Sequence, residues 1–454
     1  MGKIKFGYRN RIPLYLFGLL LFLAPGVVSA QDSLANAETR NMSLQEALAI
    51  TEEANFEVRM AEADRDKVQA QYRQTNAAFL PQLSIQETGI STNDPLNIFG
   101  FKLKQEAVTA ADFNPSRLND PNSYDNFTTK FEARQPLFNA DAFFQRSALK
   151  NQLEAAKEQL EGTLQHTRYK VKDTYYQLQL MGHRLNVIEK SLSTAQENER
   201  QAKNYYEQDI INKADYLAAR VRVLELESQR AEAKNQLATV QDNLRYLLNI
   251  DEDLTIIATD SLTMQQASEI SIDPRASANS QLKAMEYRLS AARQMLKSSK
   301  MNFIPNINLF GSYEFNDEVP FGTRGSSYMV GATLKWELFS GFQNVGKVME
   351  SKAALKKAEL AYEGQQFRTR IEIKQAQRSL DQAKEQIRFA ESSVEQASED
   401  FRIRNNRYEQ GIEKTTDLLQ SETKLFQSRL QRLNALYQYN ISLATLELLL
   451  ERNL

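Results

Sequence analysis

A short stretch that occurs twice constrains the fold of this chain more than any other feature. RYEQGIEKTTDLL at 407–419 has a near-copy, YYEQDIINKADYL, at 205–217. The equivalent residues are Tyr206 and Tyr408, Ile210 and Ile412, Asp215 and Asp417, and Leu217 and Leu419. An internal repeat at this separation indicates two similar halves, so the fold must provide the same surroundings twice.

Two long spans of the chain contain no proline. The first lies between Pro136 and Pro274, and the second follows Pro320. Proline removes a backbone hydrogen bond and clashes with the preceding helical turn, so long helices need such spans. Both spans are rich in Ala, Glu, Gln, Lys, Leu and Arg, which favour helices. The pattern predicts helices over 141–208 and 342–410, each ~100 Å long.

Each long helix runs into one copy of the repeated stretch. Gly411 suits the left-handed conformation that ends a helix, and the Ser, Thr, Asp and Asn residues nearby suit the first position of the next one. Asp209 and Asn212 are weaker substitutes in the first copy. The stretch therefore predicts a hairpin tip between antiparallel helices, with return helices over 213–248 and 415–451.

The second return helix carries an apolar stripe. Asn440 falls on this stripe as a polar interruption. The stripe consists of Leu418, Leu425, Leu433, Leu436, Leu443, Leu446 and Leu450. Spacings of three, four, seven and eight place these leucines on one helix face.

Paired segments with alternating polarity separate the helices. FLPQL at 79–83 and FIPNI at 303–307 begin similar segments, and PLFNA and ELFSG end their partners. Alternation over 127–134 and 328–338 has the period and the length of a membrane-spanning strand. Each half is therefore predicted to contain a helix, two strands, a long helix and a return helix.

Composition excludes several classes of site. The chain has no cysteine, two histidines and a formal net charge of −2, which excludes disulfide frameworks and thiol nucleophiles and gives no nucleic-acid footprint. We find no Gly-rich phosphate loop and no nucleophile–base pair. We expect no enzyme activity, no cofactor and no metal site, and we expect His166 and His183 to be surface or interface residues.

The first thirty residues have the features of a secretory signal. Basic residues precede an apolar run over 14–23, and VVSA follows it. Residue 31 is Gln31, not Cys, so we expect no N-terminal lipid anchor. No later apolar segment has the length of a membrane helix, so any membrane crossing must be made by strands.

Soluble β-sandwiches also alternate, and polar helical hairpins also form solvated coiled coils. Four strands, however, are too few to close a barrel, so their edges must pair with other subunits. The predicted helices are also too long for a small soluble sheet. A tube wall wetted on both sides fits the mean hydropathy of −0.54. Trp336, near a strand end, suits either an aromatic membrane anchor or a core position.

In this combination the segments resemble the TolC-like outer-membrane efflux protein family, from SLQEALAITEEANF at 43–56 to the C-terminal region. The resemblance implies an α+β membrane protein, a homotrimer with four strands per chain in one 12-stranded outer-membrane β-barrel, continued by a periplasmic α-helical barrel. The residues predict a signal peptide at 1–30 and repeats at 31–250 and 281–454, and the resemblance implies an equatorial segment at 251–280. The connections 93–125 and 316–326 are then expected to face the cell exterior.

The resemblance also implies a gate at the periplasmic tips. Relatives use a tyrosine before the second tip, an arginine within it and carboxylates after both tips. Tyr408, Asp215 and Asp417 match, whereas Glu413 replaces the arginine and Gln420 replaces a second carboxylate. The expected tip residues are Tyr206, Asp215, Tyr408, Gly411, Glu413, Asp417 and Gln420. Three copies of Asp417 around an axis form a cation-attracting ring; the alternative role of Asp215 and Asp417 is to complement helix dipoles.

The leading hypothesis is a passive outer-membrane duct for small molecules such as drugs or metals. It implies a periplasmic adaptor, an inner-membrane pump and outer-membrane lipid as partners. Within the same family, the alternative is an exit channel for secreted proteins. From a different class, the alternative is a periplasmic scaffold that never spans a membrane, and the alternating strands discriminate against it.

Overall fold

The computed structural model describes residues 38–250, 254–265 and 279–451. The signal peptide expected at 1–30 lies outside the described residues. So do 251–253 and 266–278 of the expected equatorial segment.

The order of elements repeats between the two halves. The first half contains β1 (Glu38–Met42), α1 (Leu44–Ala54), α2 (Phe56–Gln74), β2 (Gln82–Thr92), α3 (Pro95–Lys104), α4 (Pro115–Asn119), β3 (Tyr124–Phe138), α5 (Ala140–Glu207) and α6 (Lys213–Leu248). The second contains β4 (Leu254–Ala258), α7 (Ser280–Met301), β5 (Asn306–Asp317), β6 (Gly325–Lys335), α8 (Gln343–Glu409) and α9 (Thr415–Leu450). The expected duplication of helix, two strands, long helix and return helix is confirmed.

The long helices match the prediction to within one or two residues. α5 has 68 residues and α8 has 67, so each is ~100 Å long. The lone glycines Gly162, Gly182 and Gly364 do not interrupt them. α6 packs mainly on α5 and α8 mainly on α9, while α5 also contacts α7 and α9. α2 packs on the part of α5 that α6 does not reach. The lateral edges of the helical layer are therefore α8 on one side and α6 with α2 on the other.

The apolar stripe of α9 forms much of the core. Six of its seven leucines are buried, and Leu450 is half-buried. Asn440 is also buried, with its amide satisfied by the connection that contains β4 and precedes α7. Its Nδ2 donates to the Thr263 carbonyl at 2.9 Å, and its Oδ1 accepts from the Gln265 backbone N–H at 3.2 Å. β4, in the same connection, pairs in parallel with β1.

The four predicted strands form one antiparallel sheet in the order β2-β3-β5-β6. Side chains of paired residues share a face, because successive residues alternate between faces. Ile85, Phe131, Tyr313 and Tyr328 are paired across one face, which is apolar and exposed in the single chain. The other face carries Lys130, Glu132, Arg134 and Glu314 and lines a hollow of about 590 Å³. We call this polar side, which holds the hollow, the concave face and the apolar side the convex face.

The end of β6 differs from the prediction. Alternation suggested a strand to residue 338, but β6 ends at Lys335, so Trp336 lies just beyond the ladder. Trp336 is 57% exposed, and its Nε1 donates to the Phe303 carbonyl at 3.0 Å. That hydrogen bond holds the ring at the surface, which excludes the core alternative within the chain.

The helices α3 and α4 were not predicted. Both lie in the connection between β2 and β3, at the end of the sheet away from the long helices. Each begins with a proline directly after a capping residue, Asp94 for α3 and Asn114 for α4. Among the described residues, no helix is both apolar enough and long enough to cross a membrane.

Candidate functional site

The two hairpin tips end their long helices with the same backbone motif. Gly411 has φ of +74°, and Asp209 takes the same place in the first tip with φ of +57°. In each tip the next N–H reaches back to a carbonyl of the last turn, at 3.1 Å from Ile412 to Arg407 and 2.9 Å from Ile210 to Tyr205. This left-handed cap satisfies carbonyls at the helix end. The predicted hairpin tips are confirmed as structural elements.

The restart of the return helices differs between the tips. Asn212 caps α6 as expected, its Oδ1 accepting from the Asp215 backbone N–H at 2.9 Å. The expectation of a Ser, Thr, Asp or Asn cap is wrong for α9, where Lys414 occupies the position without a side-chain cap. The Thr415 hydroxyl instead lies 3.2 Å from the Tyr408 hydroxyl. The second tip thus uses this threonine to hold the tyrosine.

Tyrosines connect the two tips. Tyr408 is 1% exposed, its ring lies edge-on to Tyr205 at 5.6 Å, and burial raises the pKa of its hydroxyl. The Tyr205 hydroxyl lies 3.2 Å from the Tyr408 carbonyl and 3.1 Å from that of Glu409. Tyr206, which the repeat equates with Tyr408, stacks on Tyr216 of its own hairpin at 5.9 Å. The residue that sequence reasoning missed is therefore Tyr205.

An ion cluster surrounds Glu413. Its side chain is 10% exposed, and its oxygens lie 2.7 Å from Arg407 Nε and 3.1 Å from Arg404 Nη1. Arg404 also contacts Asp400 at 3.1 Å and Asp417 at 4.0 Å, and its pKa is raised chiefly by the hydrogen bond to Asp400. The expected pattern has an arginine in the turn and carboxylates after it. Here a carboxylate lies in the turn and the arginines precede it, so the signs of the charges are reversed.

The remaining predicted tip residues are not brought together in one chain. Asp417 belongs to the ion cluster but is 42% exposed, whereas Gln420 is exposed on the next turn. Asp215 lies half-buried in the first turn of α6, where its charge adds to the effect of burial in raising the pKa of Tyr408. Both aspartates complement a helix N-terminus.

A buried polar cluster above the tips was also missed. Arg222 of α6 and Glu422 of α9 lie 3.4 Å apart, with side chains 8% and 4% exposed. Asn198 of α5 donates to the second Glu422 oxygen at 2.9 Å, and Arg222 lies over the Phe426 ring. Burial raises the pKa of Glu422, against the opposing effect of Arg222. Glu422 lies between Leu418 and Leu425 on the leucine stripe, and that placement was the available signal.

The two histidines have structural contacts. His166 stacks with Tyr169, and burial lowers its pKa, while His183 Nε2 accepts from the Leu262 backbone N–H at 3.4 Å. Within the described part of the chain, no cluster of His, Asp or Glu is arranged to hold a metal.

A family model described as outer membrane efflux protein matches residues 44–249 and 275–451. These segments cover most of the chain and include both hairpins and all four strands of the larger sheet. No curated protein sequence matches the chain.

Solved structures share the fold at low sequence identity. The transmembrane channel CusC has 17% identity and a TM-score of 0.77, covering 94% of this chain and 96% of its own. The outer membrane protein VceC of Vibrio cholerae has 16% identity and a TM-score of 0.74, covering 90% and 96%. The outer membrane channel CmeC of Campylobacter jejuni has 15% identity and a TM-score of 0.76, covering 94% and 90%.

Proposed function

The chain belongs to the outer membrane efflux protein family, and on this premise we propose that it is a passive export duct. It conducts small molecules, such as drugs or metals, across the outer membrane after an inner-membrane pump and a periplasmic adaptor have delivered them. The duct itself performs no energy-converting step.

The observation that carries this proposal is the two-faced sheet. Its convex face presents Leu83, Ile85, Tyr328 and Val330, each at least 63% exposed in the single chain. Its concave face carries ion pairs, including Lys130 with Glu314 at 3.5 Å. Apolar-out and polar-in alternation is the pattern of a strand between lipid and a water-filled lumen. A periplasmic scaffold has no use for an exposed apolar sheet face.

The sheet edges support assembly with further copies. Among the described residues, β2 and β6 each pair on one side only. Unpaired edges in a hydrocarbon layer are not tolerated, so β6 of one copy must meet β2 of the next. Three copies with four strands each give the 12-stranded barrel that the resemblance implies.

The helical layer has matching unpartnered stripes at its lateral edges. On α8, exposed apolar side chains fall within roughly 40° of one line on the helix surface, at ~100° per residue. They are Met349, Leu360, Phe367, Ile371, Phe389 and Ile403. On α6, a second exposed stripe contains Leu217, Val221, Leu224 and Tyr246. We infer that the half of α8 nearer the tips packs against α6 of its neighbour and the other half against α2, where Phe56 and Met60 are exposed. This packing closes the tube.

The hairpin tips are the proposed gate, located where the adaptor docks. Tyr205 ties the first tip to the backbone of the second, and Arg404 and Arg407 hold Glu413 within the second tip. We propose that these contacts take the place of the arginine within the turn that relatives use. Threefold symmetry then gathers three copies of Asp417 near the axis, where their charge attracts cations.

The test is extraction of outer membranes with detergent, followed by reconstitution in a planar bilayer. A heat-sensitive trimer with single-channel conductance is expected; a species that is monomeric and soluble without detergent overturns the proposal. Phe367→Asp, on the α8 stripe, is expected to prevent trimer formation. Arg368→Asp, at the adjacent exposed position, is the matched control and leaves the trimer intact.

A further inference from the structure

The connection between β2 and β3 folds over the polar face of the sheet. Gly325 begins β6, pairs with Asn316 and shares the face of Thr128 and Lys130. A Cβ at this glycine would lie 1.9 Å from the carbonyl oxygen of Lys104, the last residue of α3. The end of α3 therefore lies directly on the concave side of the sheet.

A buried hydrogen-bond network anchors this contact. Gln105 is completely buried, and its Nε2 donates to the Asn126 Oδ1 at 2.8 Å and to the Asp125 carbonyl at 3.1 Å. Its Oε1 lies 2.6 Å from the Tyr124 hydroxyl. Asn126 in turn donates to Thr128 at 2.8 Å. Because Asn126 and Thr128 belong to the polar face, Gln105 fixes the connection across the concavity.

The connection also has internal order. Lys102 Nζ lies 2.5 Å from Asp112 Oδ1, Phe99 packs edge-on against Phe113, and the Thr109 backbone N–H donates to Asp112 at 2.8 Å. The lysine and the Thr109 hydrogen bonds lower the pKa of Asp112 to about 2. Residues 94–123, the mouth segment, are therefore a folded unit, anchored through Gln105, in contrast to an extended loop.

We propose that the mouth segment is the size-determining constriction at the outer end of the duct. The inference rests on the proposed function, since it takes the concave face as the lumen. With three copies around one axis, three segments converge on the opening. Within this segment, Lys104 Nζ lies 3.9 Å from Glu314 Oε2, so the constriction meets the charged interior wall. Solutes smaller than the residual opening leave, and larger ones depend on release of the Gln105 anchor.

Thiol labelling tests this, because the chain has no cysteine of its own. Ser312→Cys places a thiol on the polar face, paired with Glu132 and Met329. Thr323→Cys places one in the exposed β5–β6 connection as a reference. Intact cells are treated with a small impermeant methanethiosulfonate or with a large polyethylene-glycol maleimide. The readout is the labelling rate, which does not depend on the state of the periplasmic gate.

Two variants release the constriction. Gln105→Ala removes the anchor, and Asn119→Ala, an exposed amide in the same segment, is its matched control. Replacement of 96–121 by a short Gly-Ser turn removes the segment, which the pairing of Thr92 with Tyr124 permits. If Gln105→Ala fails to reach the membrane, the replacement still decides the question.

We expect the cysteine at 312 to react with the small reagent and to be protected from the large one. Gln105→Ala and the segment replacement are expected to speed labelling by the large reagent at least roughly tenfold, since several hydrogen bonds are lost. Equal rates for the large reagent at 312 and 323 without these changes overturn the constriction. So does continued protection at 312 after the replacement. Failure of even the small reagent at 312 after the replacement, with 323 labelled, instead overturns the duct.

Discussion

Arg407 and Glu413 face each other across the turn of the second hairpin tip, with Nε 2.7 Å from Oε2. Arg404 approaches the other carboxylate oxygen, so one largely buried carboxylate satisfies two arginines of the preceding helix. The sign of the charge in this turn is opposite to the one expected for the family. The turn is nevertheless held to α8, because the arginines that pair with Glu413 lie at the end of that helix.

Removing the Glu413 charge is expected to loosen the tip. Glu413→Gln should raise the channel open probability by a factor of about five, since partly exposed ion pairs contribute ~0.2–1 kcal/mol each. Single-channel recording measures this. Glu409→Gln removes a carboxylate of the same tip that accepts a local hydrogen bond from Asn405, and it keeps the backbone carbonyl that lies near Tyr205. This variant should leave the open probability unchanged. An equal response in both variants contradicts the bracing role.

Loss of the Tyr205 hydroxyl is expected to separate the two tips more often. Tyr205→Phe keeps the edge-on ring contact with Tyr408 but removes the hydrogen bond to the second hairpin, which contributes about 1 kcal/mol. Backbone amide hydrogen exchange at the tips should become faster by a factor of about five, which corresponds to this loss of about 1 kcal/mol. Tyr206→Phe is the control, since that ring stacks within its own hairpin. If the two variants exchange alike, the link between hairpins lies elsewhere.

Breaking the buried pair above the tips is expected to destabilise the helical layer strongly. Arg222→Ala leaves Glu422 buried and uncompensated, at a cost of about 3–5 kcal/mol. The combination Arg222→Met with Glu422→Leu removes both charges and should recover most of this loss. Heat-denaturation midpoints compare the two. A double variant as unstable as the single one would show that packing, and not the unpaired charge, is responsible.

Glu422 is expected to make stability depend on pH. Burial raises its pKa above the ordinary value of 4.5, so in the window just above 4.5 the folded chain retains a proton that the unfolded chain has released. The free energy of unfolding therefore falls as the pH rises through that window. Glu422→Gln should remove this part of the slope. Glu399→Gln serves as the control, because Arg402 lowers the pKa of that carboxyl. If the pH dependence of the unfolding free energy persists in Glu422→Gln, Glu422 is not its source.

Asp417 is expected to contribute to divalent-cation block. Its side chain is 42% exposed beside Arg404, so charge remains available to the lumen after pairing. Asp417→Ala should weaken block of the single-channel current by divalent cations. Asp215→Ala, in the first tip, removes an equivalent helix-terminal charge and is the comparison. Identical currents and identical block in Asp417→Ala would remove it from the lumen lining.

The long helices and the strands were predictable because they follow from local sequence patterns. The helices from Ala140 and Gln343 follow from proline-free, helix-favouring sequence, and strand alternation follows from a lipid face opposite a wet face. The predicted strand end at residue 338 was wrong, because the alternation continues beyond the hydrogen-bond ladder, which ends at Lys335. The order of α3 and α4 depends on Gln105 reaching another strand, which no local period records.

The site was less predictable because its contacts join distant positions. Repeat alignment pointed to Tyr206, but the direction in which each hairpin faces the other selects Tyr205. The prediction of a polar cap for α9 was wrong because Lys414 occupies the N-cap position. The neighbouring Thr415 hydroxyl contacts Tyr408 and does not cap the helix. Arg222 and Glu422 are 200 positions apart, and only their placement on apolar stripes distinguishes them from solvated charges.

The near-equal helices have a consequence for how this architecture can change over time. α5 and α8 differ by one residue, and α6 and α9 have 36 residues each. Inserting seven residues into one arm alone would displace its end by ~10 Å relative to the other. Lengthening or shortening must therefore occur in all four helices together, so the two repeats can change length only in parallel.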